Sequence, residues 1–217
     1  MRFSAALFDL DGTLLDTLED IADSTNAVLE RAGFSKHPVP AYRTFVGEGV
    51  RRLIERALPE GSRDDATVAR VTAAMVEEYR VRWADKTRPY YGVESMLDQL
   101  AKLGVRMSVF SNKLDELTKL SVEKLLPEKA FEIVMGARDG VPRKPDPAGA
   151  VEIASRMGLA PGEFLYLGDT HTDMRTAIAA GMFPVGALWG FRDEAELREA
   201  GARELVRSPD EVVALVR

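Results

Sequence analysis

Asp9 and Asp11 are the residues of this 217-residue chain whose chemistry most needs a cause. They follow the apolar run Ala5-Ala6-Leu7-Phe8 and precede Gly12 and Thr13. Such a run reads as a buried strand of a parallel sheet. A buried strand carries no acids for stability, because a charge taken out of water is costly unless paired or metal-bound. At the C-terminal end of a strand, where open α/β sheets bind ligands, two acids make sense. Period-2 geometry puts both side chains on one face. Converging carboxylates can hold a hard cation such as Mg2+, one acting as nucleophile while the other moves protons. The plainer alternative is an Asx-type turn with solvated acids.

Three later clusters have chemistry of their own. Ser111-Asn112 offers a hydroxyl and backbone N–H groups at a strand-to-helix turn, a place suited to phosphate or simply to capping the next helix. Lys144 lies in Pro142-Arg143-Lys144-Pro145-Asp146-Pro147, a loop stiffened by three prolines. A lysine on so fixed a backbone can neutralise an aspartate and a phosphoryl oxygen together. Gly168-Asp169 ends another apolar run, and Asp173 follows four residues on. One of these acids can touch a cation while the other orients it or complements a helix dipole.

The elements that must hold these residues follow from periodicity. Leu18, Ile21, Ala22, Thr25, Val28, Leu29 and Ala32 recur at helical spacing, with Asp16 or Thr17 as cap and Gly33 as stop. Asp16 and Glu19 have capping-box spacing. Residues 17–87 contain no strand pattern; helices are expected over 41–46, 50–58 and 64–86, the last with Val68, Val71, Met75, Tyr79 and Trp83 along one face. From Pro89 helices and strands alternate. Strands are expected over 105–110, 131–135, 164–167, 183–188 and 205–206, and helices over 93–103, 114–126, 148–157 and 173–180. The sum is an α/β doubly wound parallel sheet, a Rossmann-like core with its crevice at the strands' C-terminal edge.

The totals set limits. A length of 217 residues allows one large domain or a domain with a sizeable insert. The net charge of −6 argues against a general nucleic-acid binder. The absence of cysteine removes disulfides, thiolate nucleophiles and Cys-ligated zinc, and fits a reducing cytosol. Asp9 cuts the N-terminal apolar run too short for a signal peptide, and no stretch approaches the ~18 apolar residues of a membrane span. The expectation is a cytoplasmic protein, with no membrane or nucleic-acid partner.

Asp-Leu-Asp-Gly-Thr-Leu-Leu-Asp-Thr after an apolar strand resembles the first motif of the haloacid dehalogenase-like hydrolases. Ser111-Asn112, Lys144 and Gly168-Asp169 with Asp173 resemble the other three, in the right order. The resemblance covers essentially the whole chain. It implies a catalytic core of residues 1–16 and 88–217 and an inserted all-helical cap of residues 17–87. It implies Asp9 as the nucleophile that accepts a phosphoryl group and Asp11 as the acid/base. Ser111 and Asn112 would bind phosphoryl oxygens, and Lys144 would stabilise Asp9 and the transferring group. Mg2+ would sit on Asp9, the main-chain carbonyl of Asp11 and Asp169, with Asp173 close by or through water. Gly47-Glu48-Gly49 resembles the substrate-selecting cap loop of phosphoglycolate phosphatase-like members. Arg51 or Arg52 then suits a substrate carboxylate, the alternative being solvated helix residues.

The expected activity is Mg2+-dependent hydrolysis of small phosphomonoesters through a phosphoaspartate, by a monomer or homodimer. A phosphosugar mutase or pyrophosphatase shares the same Asp-x-Asp chemistry. An aspartate-phosphorylated signalling receiver is disfavoured, since receivers place the phosphoacceptor after a later strand and lack the helical insert. Gly-x-Gly-x-x-Gly and P-loop motifs are absent. His37 and His171 read as surface or loop histidines, and Thr13 and Thr170 as local hydrogen-bonders.

Overall fold

The computed structural model describes residues 3–129 and 131–216. Met1 and Arg2, part of the N-terminal stretch weighed as a leader, lie outside the described residues. Strand β1 (Ala5–Phe8) opens the chain, followed by the two-residue β2 (Leu15–Asp16). Four helices come next: α1 (Leu18–Arg31), α2 (Tyr42–Phe45), α3 (Val50–Ala57) and α4 (Asp65–Arg82). After β3 (Arg88–Pro89) the alternation runs α5 (Val93–Lys102), β4 (Arg106–Leu114), α6 (Asp115–Leu125), β5 (Phe131–Ala137) and α7 (Ala148–Met157). It closes with β6 (Phe164–Gly168), α8 (His171–Ala180), β7 (Phe183–Ala187), α9 (Glu194–Glu199), β8 (Glu204–Val206) and α10 (Pro209–Val216). The chain divides into two compact units, Met1–Leu15 with Pro89–Arg217, and Asp16–Arg88.

The first unit is built on a six-stranded parallel sheet of order β5-β4-β1-β6-β7-β8. From β1 the chain builds outward through β4 and β5, then returns to β1's other edge for β6. β1 is therefore the topological switch point, and its C-terminal end opens the crevice. The strands are apolar on both faces because both are covered. Ala6, Phe8, Leu165 and Leu167 pack with Met96, Leu100, Val212 and Val216 of α5 and α10. Ala5, Leu7, Phe164 and Tyr166 pack with Ile153, Ala154 and Ala177 of α7 and α8 on the opposite face. The alternation is the period of two that a strand imposes.

Apart from Asp16 of β2 and Arg88 of β3, the regular elements of the second unit are helices. The expected stripe of α4 is buried in full: Val68, Val71, Met75, Tyr79 and Trp83. Asp64 caps that helix, its carboxylate accepting from Thr67 N at 3.0 Å. Asp20, 1% exposed, accepts from the backbone N–H groups of Lys86 and Thr87 and from Thr87 Oγ1 at 2.6–3.1 Å. It thereby ties the start of α1 to the last residues of the unit, a contact that periodicity does not reveal. His37 is structural: Nε2 meets Ala57 O at 2.8 Å, and its ring packs edge-on to Tyr42 and Phe45.

Of the two residues expected to cap α1, Thr17 takes the cap position, without a side-chain hydrogen bond, while Asp16 lies in β2. Ser111 and Asn112 do not cap the helix after β4. That strand runs on to Leu114, which is itself the cap residue of α6.

Candidate active site

Every predicted residue of the first unit reaches the C-terminal edge of the sheet. Asp9 follows β1 directly, its backbone N–H still donating to Leu167 O at 2.9 Å. The chain then curls: the N–H groups of Thr13, Leu14 and Leu15 all converge on the carbonyl of Leu10. Strand β1 ends at Phe8, so Asp9 and Asp11 both lie beyond it, and the two carboxylates go to different lysines. Asp9 Oδ1 meets Lys144 Nζ at 2.8 Å, and Asp11 Oδ1 meets Lys113 Nζ at 3.1 Å.

Lys144 is 4% exposed, and all three of its N–H donors are used. They go to Asp9 Oδ1, to Asp173 Oδ1 at 2.7 Å and to Phe110 O at 3.1 Å. Burial alone would lower the lysine's pKa, but the Asp173 and Asp9 carboxylates outweigh it and hold the ammonium well above its ordinary value. It is a fixed positive charge. Asn112 fixes the lysine's backbone. Its Nδ2 donates to Lys144 O at 3.1 Å, and its Oδ1 accepts from Lys144 N at 2.9 Å. The Asn112 amide thus serves the lysine loop.

Ser111, Asn112 and Lys113 occupy a bulge. Phe110 pairs with Met135 and Leu114 with Ala137, so four steps along β4 match two along β5. The surplus residues are thrown toward the crevice. Ser111 Oγ accepts from Lys113 N at 3.2 Å, which leaves the hydroxyl's own proton to donate elsewhere.

Asp169 and Asp173 hang from β6 and the start of α8. Asp169 is fully buried, Oδ1 accepting from Thr13 Oγ1 at 3.1 Å and Oδ2 from Phe191 N at 2.7 Å. Glycines make room for it. A Cβ on Gly190 would stand 2.2 Å from Asp169 Cβ, and one on Gly12 would stand 2.3 Å from Asp169 Oδ2. Asp173 Oδ2 accepts from Thr170 Oγ1 at 2.7 Å and Thr170 N at 3.1 Å, closing the first turn of α8. It is both cap and anchor for Lys144.

Asp9, Asp169 and Asp173 each offer a carboxylate oxygen within 4.8 Å of the others. The side chain of Asp11 is not part of that trio. Burial, then the nearby Asp173 charge, pushes Asp9 up to about 7 against the pull of Lys144. Burial, with Asp9 and Asp173, drives Asp169 well above the carboxylate range. Three buried acids around one lysine leave an excess of negative charge, and their all-oxygen donor set is the kind that a hard divalent cation takes. The residues fit a metal ion.

The other predicted residues lie in the helical unit. Gly47 and Gly49 have φ of 111° and 88°, left-handed values that free them to turn the chain into α3. Glu48 pairs with Arg56. Arg51 bonds Glu55 at 3.0 Å and Asp65 at 2.6 Å, and Arg52 pairs with Glu55. The guanidinium proposed for a substrate anion is thus held by two acids of its own unit. His171 meets Glu196 at 2.5 Å and is no member of the acidic trio.

Sequence reading passed over two contributors. Phe191 supplies a backbone N–H, which no residue type announces. Lys113 adjoins Ser111-Asn112, and that adjacency was the only available signal.

A doubly wound sheet with an acidic trio and a caged lysine at its switch point is an α/β fold with a candidate active site at its strand ends. The haloacid dehalogenase-like hydrolase family model matches residues 6–187. The phosphoglycolate phosphatases of Xylella fastidiosa (strain 9a5c) and Xanthomonas campestris pv. campestris (strain 8004) are each 33% identical to the chain. The first covers 86% of this chain and 80% of its own length, the second 88% and 86%. A candidate phosphoglycolate phosphatase from Lactobacillus delbrueckii subsp. bulgaricus superposes with a TM-score of 0.94 at 28% identity, covering 100% of this chain and 99% of that one. The chain belongs to the haloacid dehalogenase-like hydrolases, in the phosphoglycolate phosphatase-like group, and is an enzyme. Among the described residues, no helix is long and apolar enough to cross a membrane.

Proposed function

We propose that the protein is a Mg2+-dependent phosphatase that hydrolyses small phosphomonoesters through a phosphoaspartate on Asp9, with phosphoglycolate as its leading substrate. The observation that carries this reading is Lys144, whose ammonium bridges Asp9 and Asp173 inside the acidic trio. The names of the relatives support the substrate class.

In this mechanism a carboxylate oxygen of Asp9 attacks phosphorus in line, and the bond to the ester oxygen breaks with its electron pair on that oxygen. Asp11 protonates the departing alkoxide. Asp11 then takes a proton from the water that attacks the phosphoaspartate, releasing orthophosphate and restoring Asp9. Lys144 keeps Asp9 oriented and balances charge, Ser111 Oγ and the backbone N–H of Asn112 donate to phosphoryl oxygens, and Asp9, the carbonyl of Asp11 and Asp169 would hold the metal, with Asp173 close by or through water. Bound Mg2+ would supply the remaining positive charge that phosphoryl transfer needs. The helical unit is the family's cap, with Gly47, Glu48, Gly49 and Arg51 contributing to substrate choice.

The test is phosphate release from phosphoglycolate, sugar phosphates, nucleotides and pyrophosphate, with Mg2+ and with EDTA. Mg2+-dependent release that is fastest from phosphoglycolate is expected. A best rate on pyrophosphate, or no release from a folded, Mg2+-loaded protein, rejects the reading.

A further inference from the structure

Three successive residues after β7, Trp189, Gly190 and Phe191, lie against the turn that follows β1. Phe191 sets its ring where a Cβ on Gly12 would stand 2.6 Å from it, and gives its N–H to Asp169. Gly190 comes so close that a Cβ there would stand 2.4 Å from Gly12 O. Trp189 meets the same turn with its side chain. Its indole Nε1–H donates to Thr13 O at 3.0 Å, and its half-buried ring packs against the cluster that holds Phe8, Leu10 and Leu167.

The residue that Trp189 grips also holds an acid of the trio. Thr13 is fully buried, and its Oγ1 donates to Asp169 Oδ1 at 3.1 Å. Its own N–H reaches Leu10 O at 3.3 Å, longer than the 3.0 and 2.9 Å of Leu14 and Leu15 on the same carbonyl. Good N–H···O bonds cluster near about 2.9–3.0 Å, so the turn itself holds Thr13 loosely. The indole supplies the shorter contact, and from outside the turn. Two hydrogen bonds through one residue therefore connect Trp189 to Asp169.

We infer that Trp189 is a positioning residue for the metal site: by holding the Thr13 carbonyl it keeps the Thr13 hydroxyl on Asp169 and so fixes the orientation of that carboxylate. The inference rests on the reading above that Asp169 is a Mg2+ ligand. Trp189 touches neither the ion nor the substrate. Its effect falls on how tightly the ion is held, not on which ester is chosen.

The experiment measures Mg2+ binding to the full chain by titration calorimetry, for wild type and for Trp189→Phe, which keeps an aromatic ring and removes the N–H donor. The Kd for Mg2+ is expected to rise about 10-fold, the low end of what is lost when the groups behind a metal ligand are changed. At saturating Mg2+ the KM for phosphoglycolate should stay within about 3-fold of wild type, since substrate binding is not what the indole supports. Trp189→Tyr also lacks the indole N–H and serves if the Phe variant does not fold. Trp83→Phe changes the chain's other tryptophan, in the helical unit, and should leave the Mg2+ Kd at its wild-type value. A Mg2+ Kd in Trp189→Phe that matches wild type overturns the inference. An equal rise in Trp83→Phe overturns it as well, because a general loss of stability would then account for both. Wild-type protein that binds no Mg2+ rejects the metal reading itself, a result distinct from either of these.

Discussion

Lys144 Nζ stands 2.8 Å from Asp9 Oδ1, both side chains are nearly closed to solvent, and the same nitrogen is 2.7 Å from Asp173. One ammonium thus connects a strand-end acid to a helix cap. Removing one member of a buried charge pair costs about 3–5 kcal/mol, because the partner stays buried and unpaired. Lys144→Met is expected to lower the melting temperature by about 10 °C, at about 2–4 °C per kcal/mol for a chain of this size. Lys144→Arg should not restore it, since a planar guanidinium does not match a cage of two carboxylates and a carbonyl. A thermal melt within about 2 °C of wild type for Lys144→Met would contradict the geometry.

Asp9→Asn separates chemistry from stability. Loss of the nucleophile should lower turnover by about 10^3-fold or more. The same change removes one of three crowded acids while Lys144 keeps Asp173 as its partner, so the metal-free variant is expected to melt above metal-free wild type. Phosphate-release rates and paired melts in EDTA check both halves. A variant that is both active and no more stable sinks the assignment.

The raised pKa of Asp9 also sets a pH dependence. The folded protein holds the Asp9 proton up to about 7, whereas an unfolded aspartate releases it near 3.8. Between those values the native state binds more protons than the unfolded state, so this group's contribution falls as pH rises. Below 3.8 and above 7 it is flat. The difference in unfolding free energy between metal-free wild type and Asp9→Asn should therefore widen from pH 4 to pH 7. Chemical denaturation at a series of pH values measures it; a constant difference would refute it.

Gly190→Ala tests the support of Asp169. Its new Cβ would press on Asp169 Cβ at 2.2 Å and on Gly12 O at 2.4 Å, both too close to be tolerated without displacement. Disturbing the groups that orient a metal ligand typically costs about 10–100-fold in metal affinity or activity. The Mg2+ concentration for half-maximal activity should rise by that order. An unaltered Mg2+ titration would show that Asp169 does not depend on this packing.

The sequence alone determined the sheet and the identity of its strand-end acids. Apolar runs closed by Asp9, by Ser111-Asn112 and by Gly168-Asp169 are local patterns, and local patterns survive in one dimension because strand and helix periods are short-range. The buried face of α4 was legible for the same reason. What only the tertiary structure decided is who meets whom. Asp9 and Asp11 take different lysines, Lys144 and Lys113, and the second of these comes from the β4 bulge. Asn112 is spent on Lys144, and Phe191 reaches back across 22 residues to hold Asp169. Each depends on contacts between segments far apart in the chain, made by backbone groups or by side chains whose partners no spacing rule specifies. Residue types set the available charges; packing assigned each charge its partner.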